Sequence, residues 1–289
     1  MSQQHFSQHV LSSRDLGPPD LTPSDLTPSD LTPPDLIPSD LTPSDLTPPL
    51  LNAIGVSVPY GPAANQTFDC VFKPNEIWGV LGANGTGKTL LLNQLVGLSK
   101  PTSGSVQWLG KSASELKASD WAQIVSYQPA QTPHVFDATV LERIMQIDGV
   151  SVEQATAVLH ELSLLPMAKR MWSSLSDGER QRAWLAQRIL QRAKLMILDE
   201  PLSHQDLAHQ LSIGDAFKRA AQHGALVIAA VHQLDWIMRY CSHVLAISAN
   251  GNWLQGRVDE VISIDMLYAV YGRQFAQVTV ENAPRFVVI

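Results

Sequence analysis

Between residues 16 and 50 the leucines recur every five residues; from Leu51 onward they do not. The first stretch reads LGPPD, LTPSD, LTPSD, LTPPD, LIPSD, LTPSD, LTPPL, with a proline at the third place of every copy. A spacing of five matches neither the helical nor the strand period, so these leucines share no face. Each proline removes a backbone donor and disfavours helix in the residue before it. The pattern predicts a disordered, partly polyproline-like low-complexity tail over residues 1–50.

A globular texture follows over residues 51–289. Short apolar runs read as buried strands at EIWGVLG (76–82), KLMILDEP (194–201), ALVIAAVH (225–232) and HVLAIS (243–248). Helical periodicity appears in KTLLLNQLVGL (88–98) and near 151–164, 178–193, 207–222 and 257–270. Strands alternating with helices predict an α/β fold, with a mostly parallel sheet flanked by helices on its faces.

Charge changes this picture little. The net charge of -7 traces to seven aspartates, every fifth residue from Asp15 to Asp45. Without them, 20 acids face 20 bases. No basic surplus argues for nucleic acid. The longest apolar run, Ala225 to Val231, is far short of the roughly 20 residues that span a bilayer. Any link to a membrane is therefore expected through a partner protein. The N-terminus lacks the basic cluster and apolar segment of a secretory signal. Cys70 and Cys241, in no metal-ligand spacing, read as free thiols in a reducing cytoplasm.

Two segments carry candidate chemistry. GANGTGKT at 82–89 has the G-x-x-x-x-G-K-[ST] pattern between a predicted strand and a predicted helix. The backbone of Gly82, Ala83, Asn84, Gly85, Thr86 and Gly87 is expected to curl around phosphates at the positive end of the helix. Lys88 would reach the β- and γ-phosphates, and the Thr89 hydroxyl would bind Mg²⁺. LMILDEP, the second segment, delivers Asp199 and Glu200 to the end of an apolar strand. Asp199 would hold Mg²⁺ through water, and Glu200 would polarise the attacking water.

LSDGERQR at 175–182 resembles the LSGGQ signature of ATP-binding cassette (ABC) proteins, with Ser176 and Gly178 in place and Asp177 and Glu179 as departures. Ser176 and Glu179 also form a capping-box pair, and here the helix cap is itself the binding device. Other pieces follow in family order. His232 resembles the switch histidine, and Tyr60 the aromatic that stacks on adenine. Asp206 resembles the D-loop aspartate, although His204 and Gln205 replace the usual small and apolar residues. The family also has a γ-phosphate-sensing, metal-binding glutamine after a strand and a proline. An ungapped count puts Ala130 there, flanked by Gln128 and Gln131; Gln131 is preferred because it follows Pro129, and Gln128 stays open.

The resemblance covers about residues 51–289. It implies a P-loop NTPase fold with an antiparallel β-subdomain and a small helical subdomain near 132–190. It implies ATP and Mg²⁺ as cofactors and a head-to-tail homodimer. One subunit would supply Lys88, Thr89, Asp199, Glu200 and His232, and the other Ser176 and Gly178. The expected partners are integral membrane permease subunits, with a periplasmic substrate-binding protein acting indirectly. The expected location is the cytoplasmic face of the inner membrane. The tail VDEVISIDMLYAVYGRQFAQVTVENAPRFVVI is similar to that of iron-siderophore, haem and cobalamin importer ATPases, in which a helix leads to a YG pair and a short strand. An ATPase of another transporter class, or a non-transport ATPase, is the alternative.

Overall fold

The computed structural model describes residues 48–112, 115–131, 137–280 and 283–289. The tail predicted for residues 1–50 lies, except for its last three residues, outside the described residues.

Strands β1 (Leu51–Val56) and β2 (Phe68–Phe72) pair antiparallel. The chain then runs through β3 (Ile77–Gly82) and helix α1 (Lys88–Val96). It returns as β4 (Ser105–Trp108) and β5 (Lys111–Ser112), completing an antiparallel sheet of order β2-β1-β4-β5. Helix α2 (Ala118–Ile124) leads into β6 (Val125–Gln128). Three helices follow: α3 (Val140–Ile144), α4 (Val152–Glu161) and α5 (Asp177–Leu190). Next come β7 (Leu195–Asp199), α6 (Leu207–Gln222), β8 (Leu226–Ala230), α7 (Leu234–Tyr240) and β9 (His243–Ile247). The chain continues through β10 (Trp253–Arg257), α8 (Val258–Val261) and α9 (Ile264–Tyr271) to a hairpin of β11 (Phe275–Val280) and β12 (Ala283–Val288).

The central sheet has the order β10-β9-β3-β8-β7-β6. Of its five pairings four are parallel, and the β10–β9 pairing at one edge is antiparallel. Strands β3, β7 and β8 are buried at every residue, as a parallel strand covered on both faces must be. Alternate residues of β7 serve different cores. Leu195 and Ile197 join Trp78, Leu91, Leu95 and Trp108 under the antiparallel sheet. Met196 and Leu198 join Leu159, Phe217 and Trp236 on the other side. Leu91, Leu92 and Leu95 are fully buried, and each contributes about 1.5–3 kcal/mol. That burial fixes α1 against the sheet, and so fixes the loop before it. Register then aligns the carboxyl ends of the strands: Asp199 pairs with Ala230, and Val80 with the same residue from the other side.

Two expectations change in detail. The single helix read over 257–270 is two, α8 and α9. Ser263 between them is extended (φ -142°, ψ 166°), and its side chain caps α9 by accepting from Met266 N–H at 3.2 Å. The short strand expected after the YG pair is a full hairpin. Phe275 and Phe286 pack it onto the core, and Arg285 lies 3.8 Å from Asp235 of α7. Both cysteines are free and buried, and burial pushes both thiols up.

Candidate functional site

The site is built where β3, β7 and β8 end. The loop between β3 and α1 turns through Gly87, whose φ of 103° makes it a left-handed N-cap that a side chain would strain. Lys88 then enters the helix buried, and its Nζ donates to Gly82 O at 2.9 Å and Ala83 O at 3.1 Å. Those carbonyls hold the ammonium inside the loop it would share with phosphates. Burial lowers the Lys88 pKa, partly opposed by the charges of Glu200 and Asp199. The Thr86 hydroxyl donates to Ala83 O at 2.9 Å and closes the loop from within. Tyr60 is 72% exposed in the β1–β2 connection, with its backbone oxygen beside Gly87. Its side chain is exposed to solvent.

Asp199 is the last residue of β7 and is buried. Burial pushes its carboxyl up, against a hydrogen bond from Thr89 that pulls it down. Glu200 follows in the left-handed region (φ 49°), as does His204 (φ 59°). Such residues cost about 1–3 kcal/mol each and persist only where their surroundings over-determine them. Here the turn is held from several sides. Glu200 N–H donates to Ala230 O at 3.1 Å, and Gln181 Nε2 donates to Glu200 O at 2.6 Å. Ser203 Oγ donates to Glu200 Oε2 at 3.1 Å. At about 0.5–1.5 kcal/mol net for each hydrogen bond, these three bonds are of the order of the strain at Glu200 itself.

His232 lies just past β8, and its Nε2 is 3.3 Å from Glu200 Oε1. Burial alone would raise the Glu200 pKa, but the hydrogen bonds from His232 and Ser203 outweigh it and the carboxyl sits below its ordinary value. The carboxylate is thus kept ionised and oriented, with its side chain still 38% exposed.

The signature segment lies at the start of α5. Ser176 and Asp177 are exposed. Ser176 is the N-cap: its Oγ accepts from Glu179 N–H at 3.3 Å, while Glu179 Oε2 accepts from Ser176 N–H at 2.8 Å. The Ser176 backbone N–H holds the Glu179 carboxyl below its usual value. Gly178 packs so closely that a Cβ there would lie 2.7 Å from His204 O. Among the described residues no hydrogen bond joins Ser176 to the phosphate loop. Ser176 and Asp177 are thus the part of the signature open to solvent, while Gly178 packs on the His204 turn.

The structure therefore brings together Lys88, Thr89, Asp199, Glu200 and His232. Asp206 N-caps α6, accepting from His209 N–H at 2.9 Å, and stays exposed. The two candidate glutamines differ in kind. Gln128 is fully buried, with its Nε2 3.4 Å from Gln181 O. Gln131 is exposed and adjoins residues 132–136, which lie outside the described residues. Sequence reading missed Gln181, Arg182, Ser203 and Gln205 as supports of the Glu200 turn. The only signal was Gln205 itself, a polar residue at an apolar place.

A family model described as "ABC transporter" matches residues 66–203. The probable siderophore transport system ATP-binding protein YusV of Bacillus subtilis is 31% identical over 75% of this chain and 83% of its own. The vitamin B12 import ATP-binding protein BtuD of Vibrio cholerae is 32% identical over 72% of this chain and 89% of its own. Among solved structures, the ATP-binding subunit of an ABC transporter superposes with a TM-score of 0.64 at 22% identity, over 78% of this chain and 95% of that one. This last likeness concerns the fold.

Proposed function

The chain belongs to the ABC transporter family, and from that premise we propose that it hydrolyses ATP to ADP and phosphate as the motor subunit of an importer for an iron-siderophore, haem or cobalamin. The observation that carries the reading is the convergence of a phosphate loop, two carboxylates and a histidine on one sheet edge, with a signature helix whose cap faces outward. The substrate class rests on relatives named for siderophore transport and vitamin B12 import.

The triphosphate would lie along residues 82–89, with Lys88 exchanging its two carbonyl partners for phosphate oxygens and Tyr60 stacking on adenine. Thr89 and Asp199 present hard oxygen donors side by side, a set suited to Mg²⁺. Gln131 would add another. When bound, that ion would neutralise charge on the β- and γ-phosphates. Glu200, ionised and held by Ser203 and His232, would orient the attacking water and accept its proton. His232 would also sense the γ-phosphate.

Ser176 and Gly178 of a second copy would grip the same ATP, with Asp206 at the junction. A homodimer therefore completes two sites, and closure on ATP would move the permease. The helices near 132–190 and the stretch around Gln131 would receive the permease's coupling segment. Among the described residues no helix is long and apolar enough to cross a membrane; the proposed place is peripheral, on the cytoplasmic side of the permease. The test is purification from membranes. An integral permease should co-purify, and cells lacking the chain should lose uptake of at least one of the three ligands. Normal uptake of all three would overturn the substrate class.

A further inference from the structure

Gln205 is a polar residue buried at 8% exposure. Its carboxamide is fully engaged. Arg182 Nη1 donates to Gln205 Oε1 at 2.6 Å. Gln205 Nε2 lies 3.1 Å from Gly178 O and 3.3 Å from Gln181 Oε1. Gln181 Nε2 in turn donates to Glu200 O. At the far end, Arg182 Nε donates to Leu162 O at 3.1 Å, the residue that closes α4. A continuous polar path thus runs from the end of α4, through α5, to the backbone of Glu200. Gln181 and Arg182 are buried as well. In such surroundings hydrogen bonds are strong and a broken one is costly, so the path moves as a unit.

We propose that Gln205 is a positioning residue that makes the signature helix and the Glu200 turn one mechanical piece within each subunit. Its amide is chemically suited to this. It accepts from a guanidinium on one side and donates to a carbonyl on the other, which neither a carboxylate nor an apolar side chain can do. The consequence follows from the dimer. Gly178 meets the ATP held by the partner, whereas Glu200 serves the ATP in its own subunit. Engagement of the signature at one site would set the turn at the other, so the two sites would fire together. The inference rests on the homodimeric ATPase reading given above.

Gln205→Glu tests it, because the carboxylate still accepts from Arg182 but loses both N–H donors. The expected result is a folded protein with a lower melting midpoint, because buried acceptors lose their donors, an unchanged half-saturating ATP concentration, and a kcat lower by about one to two orders of magnitude, as for a misplaced reacting group. The ATP dependence should also pass from sigmoidal to hyperbolic. Gln181→Met cuts the path one step further on and should give the same phenotype, with the double variant no worse than either single one. A purely structural role would lower the melting midpoint while leaving the kcat of the folded enzyme and the curve's shape alone. A parent already hyperbolic, additive effects, or parental kinetics in a folded Gln205→Glu would each overturn the proposal. Glu200→Gln is the control. If it turns over ATP fully, the ATPase reading has failed. If it is inert while Gln205→Glu behaves as the parent, only the coupling has failed.

Discussion

Thr89 Oγ1 donates to Asp199 Oδ2 across 2.7 Å, joining the first turn of α1 to the last residue of β7. The two residues are 110 positions apart, and only the parallel sheet brings them together. The bond also lowers the Asp199 carboxyl against the push of burial. Burial still outweighs it, and the Asp199 carboxyl stands above its ordinary value.

Lys88→Ala should abolish ATP binding without unfolding the chain. The ammonium is buried and its two partners are carbonyls of the loop itself. Removing it takes away the loop's internal cation and one donor to each of Gly82 O and Ala83 O. Titration with a fluorescent ATP analogue should show no saturable binding. Parental affinity would remove Lys88 from the site.

Glu200→Gln should retain ATP affinity and lose turnover by about 10²–10⁴-fold, the contribution of a positioned general base. The amide preserves shape and cannot take the proton. A stalled dimer should then accumulate with ATP, seen as an earlier peak in size-exclusion chromatography. Full turnover would refute the role of Glu200.

The acid limb of kcat/KM assigned to Glu200 should lie below the ordinary carboxylate value of 4.5. The folded pKa is depressed, so the folded chain releases this proton more readily than the unfolded chain. The associated stability is present above the ordinary value and drains as pH falls through the lower one. His232→Ala removes one cause of the depression, so the limb should move up. A pH–rate profile of both proteins reads this directly, and a limb unmoved by the substitution would exclude the pairing.

Deleting residues 1–49 should leave kcat and the melting midpoint unchanged. The cut spares Leu50, which is buried, donates to Phe72 O at 3.0 Å and accepts from Leu109 N–H at 2.9 Å. A large loss of ATPase activity would give the five-residue repeat a role in the enzyme.

The central strands were legible because each is a continuous apolar run, as burial on both faces requires. The phosphate loop and LMILDEP were legible because phosphate chemistry fixes residue types at short spacing. The antiparallel sheet was harder to read. FDCVF alternates buried and exposed over five residues, too short a run to stand out. The break at Ser263 depends on a cap that competes with an apolar pattern running straight through it. The supports of Glu200 were invisible for another reason. Gln205 and Arg182 are 23 residues apart, and nothing local says that they touch.

The left-handed residues Glu200 and His204 bear on how such a chain could be improved. A glycine at 204 would relieve backbone strain, so a screen that selects only for heat resistance would favour it. The same change would slacken the turn that aims Glu200. Selection for durability and selection for turnover should therefore diverge at this position, and a library ranked by melting point alone would promote the slower enzymes.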